Sequence, residues 1–163
     1  MKRSPLIDVL PTLGPALGAI GAVLSGESAA HVHLAAATAS IPGHSVRYAA
    51  LIPRRVHAIV PEGARDVPGV ERDVGVITEV LRERLPLVST IVTLADGTSV
   101  PTLSREAVIA QLLALGGLAV GLAGTLIHVA NVPPIDVDEV REILKAARQG
   151  ERFQPLLELL DVA

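Results

Sequence analysis

Ala107 to Val132 reads AVIAQLLALGGLAVGLAGTLIHVANV. These 26 residues carry no formal charge, and only Gln111, Thr125, His128 and Asn131 bring clearly polar side chains. A run this long and apolar must leave water, since each Å² of apolar surface kept wet forfeits about 25 cal/mol. It can enter a bilayer, the centre of a folded domain, or a seam between copies of the same chain. The length suffices for a membrane span, which takes about 20 residues. Gly117 and Gly121 form the GxxxG spacing that lets helices approach closely, and Gly124 extends the small patch. No aromatic belt flanks the run, and Arg105 and Glu106 cancel on one side while Asp136 and Asp138 lie on the other, so nothing fixes an orientation. The glycines equally suit a break into helix and turn, with Gly121 to Val132 as a buried strand. His128, alone in this run, reads as a hydrogen-bonded core histidine.

Upstream, Ser104 can cap a helix that opens with Arg105 and Glu106. Before it, Leu87 to Leu94 is rich in β-branched residues, Asp96-Gly97 is a hairpin signal, and Thr98 to Val100 is the return strand. Val70, Val74, Ile77 and Leu81 are spaced as one helix face, ending by Pro86, with a mixed-charge outer face. Pro61 to Gly69 is a loop by composition. Downstream, Pro133-Pro134 closes the apolar run and Asp136 to Glu139 forms a capping box. Val137, Val140, Leu144 and Ala147 then share a helix face, with Gly150 as its C-cap and Pro155 opening a last short helix.

At the N-terminus, Leu6, Leu10, Leu13, Leu17, Ile20 and Leu24 follow the 4-3-4-3-4 steps of one helix face, with Gly14, Gly18 and Gly21 as a neighbouring small stripe. Pro11 and Pro15 predict a kink, or a start near Thr12. Lys2 and Arg3 before an apolar stretch are also how a signal peptide begins, although Asp8 and Pro11 interrupt its apolar region. Gly26 to Ser28 is a break. Ala29 to Ser40 reads either as a strand, with His31 and His33 on one face, or as an alanine-rich helix with the two histidines pointing apart. Val46 to Ile52 and Val56 to Val60 alternate as half-buried strands around Pro53.

Together these segments predict an α+β fold. A small, mostly antiparallel sheet from the regions near 30–60 and 87–100 is covered by several helices. Residues 1–163 read as a single domain, with 1–28 open to being an N-terminal helical appendage.

Half the residues are hydrophobic, yet Tyr48 and Phe153 are the only aromatics. The core must therefore be Leu, Val, Ile and Ala. A formal net charge of −3 gives no electrostatic case for nucleic acid, and base stacking has almost no aromatic to use. The chain has no cysteine, which excludes disulfides, thiolate nucleophiles and Cys-type zinc sites. It also favours a cytoplasmic or virion-associated setting over a secreted one.

No motif identifies a reaction: GxSxG, a P-loop, GxGxxG and HExxH are all missing. The chemistry-bearing candidates are few. His31 and His33 on a strand, joined by His57 or His44, have metal-ligand character, against the plainer reading of exposed strand histidines. Arg47, Arg54 and Arg55 form a basic cluster suited to a phosphate or carboxylate, or simply a charge-protected sheet edge. Gly14, Gly18, Gly117 and Gly121 mark helix packing or contact between copies. No cofactor is expected. The composition favours a non-catalytic structural subunit of a homo-oligomeric assembly, such as a virion, shell, tail or filament component. A small single-span membrane protein and a small metal-dependent enzyme with a His-x-His site are the alternatives.

Overall fold

The computed structural model describes residues 6–38, 56–94 and 97–147. The first helix, α1 (Leu6–Ala19), buries Leu10, Leu13 and Leu17 and runs through both internal prolines. It stops five residues short of the end of the periodic pattern, which runs to Leu24. Gly21 adopts φ +71, Ala22 N–H reaches back to the Leu17 carbonyl at 2.9 Å, and Gly21 N–H reaches that of Gly18 at 3.2 Å. This pair of bonds ends a helix with a left-handed residue, a conformation that glycine adopts without steric cost. Leu24 is therefore not on the helix but in a strand, β1 (Val23–Leu24).

The next helix, α2, spans Gly26–Thr38, so the region near 30–38 is helix and not part of the sheet. Its alanines decide the matter: Ala29, Ala30 and Ala35 are buried, and small side chains favour a helix that lies close to its neighbours. Strand β2 (Val56–Ile59) follows. Residues 39–55, which include the expected strand from Val46 to Ile52, lie outside the described residues.

Strand β3 (Val70–Arg72) pairs in parallel with β2. The helical spacing from Val70 to Leu81 therefore belongs to two elements. The chain turns at Gly75, Val74 is exposed, and only α3 (Val76–Glu83) is helical, burying Leu81. A single turn, α4 (Leu85–Val88), takes Pro86 into its start, where no helical donor is lost. It leads into β4 (Ser89–Thr93), which pairs antiparallel with β5 (Ser99–Leu103). Leu94 N–H donates to the Thr98 carbonyl at 2.8 Å at the turn, where Gly97 has positive φ; Asp96 lies outside the described residues.

The sheet order is β3-β2-β1-β5-β4. Two of its pairings are antiparallel (β1 with β2, β4 with β5) and two are parallel (β1 with β5, β2 with β3). The sheet is mixed, not mostly antiparallel, and with the helices it makes an α+β fold. Both residues of β1 are buried. Successive strand residues point to opposite faces, so the middle of the sheet is covered on both sides.

The central apolar run splits in two. Helix α5 (Arg105–Leu115) starts where the Ser104 side chain accepts from Ala107 N–H at 3.2 Å. Gly116 and Gly117 both take positive φ, +72 and +59, and end it. Helix α6 (Leu118–Val129) follows, so residues 121–129 are helix and not a buried strand. Neither helix has the length of a membrane span, and among the described residues no helix is long and apolar enough to cross a membrane. Helix α7 (Val137–Ala146) is capped by the Asp136 side chain, which accepts from Glu139 N–H at 3.2 Å; it buries Val140, Ile143 and Leu144. The expected cap at Gly150 and the helix from Pro155 lie outside the described residues.

Helix α1 lies against β5 and β1. At Gly14 an added Cβ would sit 2.8 Å from the Ser99 carbonyl oxygen, whereas at Gly18 it would meet nothing within 4 Å. Gly14→Ala should therefore lower unfolding free energy by about 1–3 kcal/mol through overpacking against main chain. Gly18→Ala should raise it by about 0.4–1 kcal/mol by restricting the unfolded chain. Urea titration of both variants measures the contrast, and equal effects would remove the packing role given to Gly14.

Candidate functional site

Among the described residues, the histidines do not converge. Residues two apart on a helix point to different sides, so on α2 His31 and His33 cannot form the paired ligands that a strand would present. His33 Nε2–H donates to the Leu103 carbonyl at 2.7 Å, tying α2 to the end of β5. The carbonyl can only accept, which fixes the imidazole tautomer. His31 is buried, and its Nδ1 meets no hydrogen-bond partner among the described residues. His57, on β2, is half-exposed and sits 3.3 Å from the Glu71 carboxylate on β3. His128 is exposed on α6, not in the core. His44 and the cluster Arg47, Arg54 and Arg55 lie outside the described residues. Among the described residues, no group of three or more His, Cys, Asp or Glu is placed to hold a metal ion.

A different polar constellation joins residues far apart in sequence. Ser25 follows β1, Asp73 follows β3, Thr78 lies in the first turn of α3, and Gln111 lies on α5. Ser25 Oγ donates to Asp73 Oδ2 at 2.6 Å, and Gln111 Nε2 donates to the same oxygen. Thr78 Oγ1 donates to Asp73 Oδ1 at 3.3 Å. The Gln111 carbonyl oxygen accepts from Gly26 N–H at 2.7 Å, which satisfies one of the free donors at the start of α2. The main chain of His57 joins in: its carbonyl accepts from Ser25 N–H at 3.0 Å, and its N–H donates to Ser28 Oγ at 3.1 Å. Ser25, Ser28, Thr78 and Gln111 are all buried.

Chemically, this arrangement is a fastening. The Ser25 hydroxyl gives its hydrogen to a carboxylate, and His57 meets Ser25 through main-chain atoms, not through a base. One carboxylate near the positive end of α2 gathers donors from three other elements. Ser25, Asp73, Thr78 and Gln111 were not legible as a group, because nothing local in the sequence links them.

The third place is the outer side of α6. This helix buries Ala119, Ala123 and Leu126, while Leu118 is 97% exposed. Gly121, Gly124 and His128 are exposed, and Leu122, Thr125 and Val129 are partly covered. Leu115 and Val132 extend the apolar surface at its two ends. Thr125 Oγ1 donates to the Gly121 carbonyl of its own helix at 3.1 Å, so its polar group is already engaged. A Cβ at Gly121 or Gly124 would meet nothing within 4 Å. Gly117, with positive φ, belongs to the turn and also faces open space. Apart from His128, α6 itself carries no titratable group.

Removal of the Asp73 carboxylate in Asp73→Ala would leave buried donors on Ser25 and Gln111 unpaired, at an expected cost of about 3 kcal/mol. Asp73→Asn, which keeps an acceptor, should cost less. Denaturant unfolding ranks the two, and a neutral Asp73→Ala would show that water replaces the carboxylate without loss.

Burial holds the His31 imidazole below its ordinary value, with Glu27 one turn earlier pulling it partly back. Burial does the same at His33; the Leu103 bond and Glu106 oppose the shift, and Arg105 adds to it. In the unfolded chain both groups titrate near about 6.5, so it takes up protons before the folded chain does as pH falls. Stability is therefore full above about pH 6.5 and declines as pH drops below it toward the folded values. Thermal unfolding between pH 7.5 and 5 should show this decline, and His31→Leu with His33→Gln should flatten it. An unchanged slope would assign the loss to carboxylates instead. Among known proteins, no family model matches the chain and no similar curated protein is found.

Proposed function

We propose that this chain is a non-catalytic structural subunit that acts by binding copies of itself, as a component of a shell, tail, filament or virion does, and that α6 is where two copies meet. The supporting observation is the outer face of α6, where Leu118 lies 97% exposed beside Gly121, at which an added Cβ would touch nothing. Leu118, Leu122 and Val129 form one ridge along the helix, and Gly121 and Gly124 leave a groove beside it. Two such helices related by a two-fold axis set the ridge of one into the groove of the other. A two-fold interface uses every residue twice, so full burial of Leu118 alone contributes about 3–6 kcal/mol across the pair. A face whose one titratable side chain on α6 is His128, with its hydroxyl already engaged, offers little to a charged partner and much to its own copy.

Size-exclusion chromatography with light scattering, without detergent, tests the reading. A discrete mass above that of one chain is expected. Gly121→Leu leaves the protomer folded, since its interior has no atom in the way, yet it holds a second helix off and should reduce the mass. A protomer mass for the unmodified chain at about 100 µM, well above a micromolar Kd, would sink the proposal. Dispersal only in detergent would transfer the face to lipid.

A further inference from the structure

Among the described residues, the two edges of the sheet are unlike. At one edge, β3 is three residues long and carries Glu71 and Arg72. The Arg72 guanidinium donates to Asp66 at 2.8 Å and to the Ala64 carbonyl at 2.6 Å. A short, charged strand is a poor template for further pairing. At the other edge, β4 reads Ser89-Thr90-Ile91-Val92-Thr93, with no charge and no proline, and Ile91 is 69% exposed.

The register fixes which main-chain groups face outward. In an antiparallel pair, residues alternate between exchanging both hydrogen bonds with their partner and exchanging none. Ile91 stands opposite Pro101, which has no N–H to give, so this is a non-bonded pair. The bonds seen beyond both ends agree: Leu94 N–H donates to the Thr98 carbonyl, and Ser104 N–H donates to the Val88 carbonyl at 2.6 Å. Thr90 and Val92 therefore bond to β5, whereas Ser89, Ile91 and Thr93 turn their N–H and C=O groups away from the sheet.

We propose that β4 pairs edge to edge, antiparallel, with β4 of a second copy about a two-fold axis at Ile91, continuing the sheet from one protomer into the next. The second copy is the occupant because the strand is its own complement. The axis sets Ser89 against Thr93 and Ile91 against Ile91 of the other copy, so every outward N–H and C=O finds a partner and none is left over. No like charges are brought together, in contrast to what β3 would do. Leu87, 83% exposed just before the strand, adds apolar surface to the same edge. This inference deepens the self-association reading by naming a second surface. Two distinct two-fold surfaces on one protomer link copies into a chain that extends or closes with further symmetry.

The test uses full-length protein and two variants, each acting on one surface. Ile91→Lys places a charge on the axis without touching a β5 bond, and Gly121→Leu acts on α6. If both surfaces operate, the unmodified chain exceeds a dimer, each single variant is a dimer, and the double variant is a monomer. In the Gly121→Leu dimer, amide hydrogen exchange at Ser89, Ile91 and Thr93 should slow at least tenfold on raising concentration. Thr90 and Val92, already bonded to β5, serve as internal controls. A monomeric Gly121→Leu protein with concentration-independent exchange at Ile91 overturns the β4 pairing and leaves the α6 contact standing. A dimeric unmodified chain that becomes monomeric in Ile91→Lys overturns the α6 contact instead. A Gly121→Leu protein whose β4 amides are protected only when an added foreign strand peptide is present also overturns the pairing between copies. Far-ultraviolet circular dichroism confirms that each variant is folded.

Discussion

Every side of α5 has to be covered. From Ala107 to Leu113 each residue is buried, whichever way it points, and a helix apolar all round is stable only inside a surround of other elements. Helices α2, α3, α6 and α7 supply that surround. Gly116 and Gly117 reverse the chain so that α6 packs back on α5. The way to α7 is held by the two charged residues that open α5. Arg105 donates to the carbonyls of Ala130 at 2.5 Å and Pro133 at 2.6 Å, and Glu106 accepts from Asp136 N–H at 3.1 Å. The one polar residue deep in α5, Gln111, is buried only because Asp73 and Gly26 engage both ends of its amide, as burying a polar group unpaired is costly.

The sequence displays those parts of this arrangement that rest on local chemistry. The Ser104 cap, the Asp136 cap and the hairpin between β4 and β5 depend on residues within a few positions of each other, and each lies where its signal is. Helix α1 is legible by its leucine spacing, but its end is not, since Leu24 continues the period by coincidence after Gly21 has stopped the helix. The same coincidence joins Val70 to Ile77 across the turn at Gly75. Strand β1 is two residues long, too short to show an alternation, and its place at the centre of the sheet is set by partners 34 and 78 positions away (Leu24 with Ala58 and Thr102). The choice of helix for α2 turns on how closely it packs, which the histidines at 31 and 33 do not announce. The Ser25, Asp73 and Gln111 fastening is invisible for the same reason: its bonds span 48 and 38 residues.

The central run shows why composition alone divides poorly between inside and outside. Helices α5 and α6 come from one uncharged stretch and look alike as sequence. The turn at Gly116-Gly117 decides that α5 lies in the middle of the helical layer and α6 at its margin. With Ala119, Ala123 and Leu126 turned inward, α6 approaches its neighbours closely while Leu118 points outward. The apolar character that makes residues 107–132 resemble a membrane span is thus used wholly inside the fold over its first half and only in part over its second. Leu115, Leu118 and Val132 keep apolar surface in water, an unfavourable exposure that nothing among the described residues relieves. Because the small residues Gly121 and Gly124 are exposed along with Leu118, the outer side of α6 combines a large apolar side chain with open space beside it.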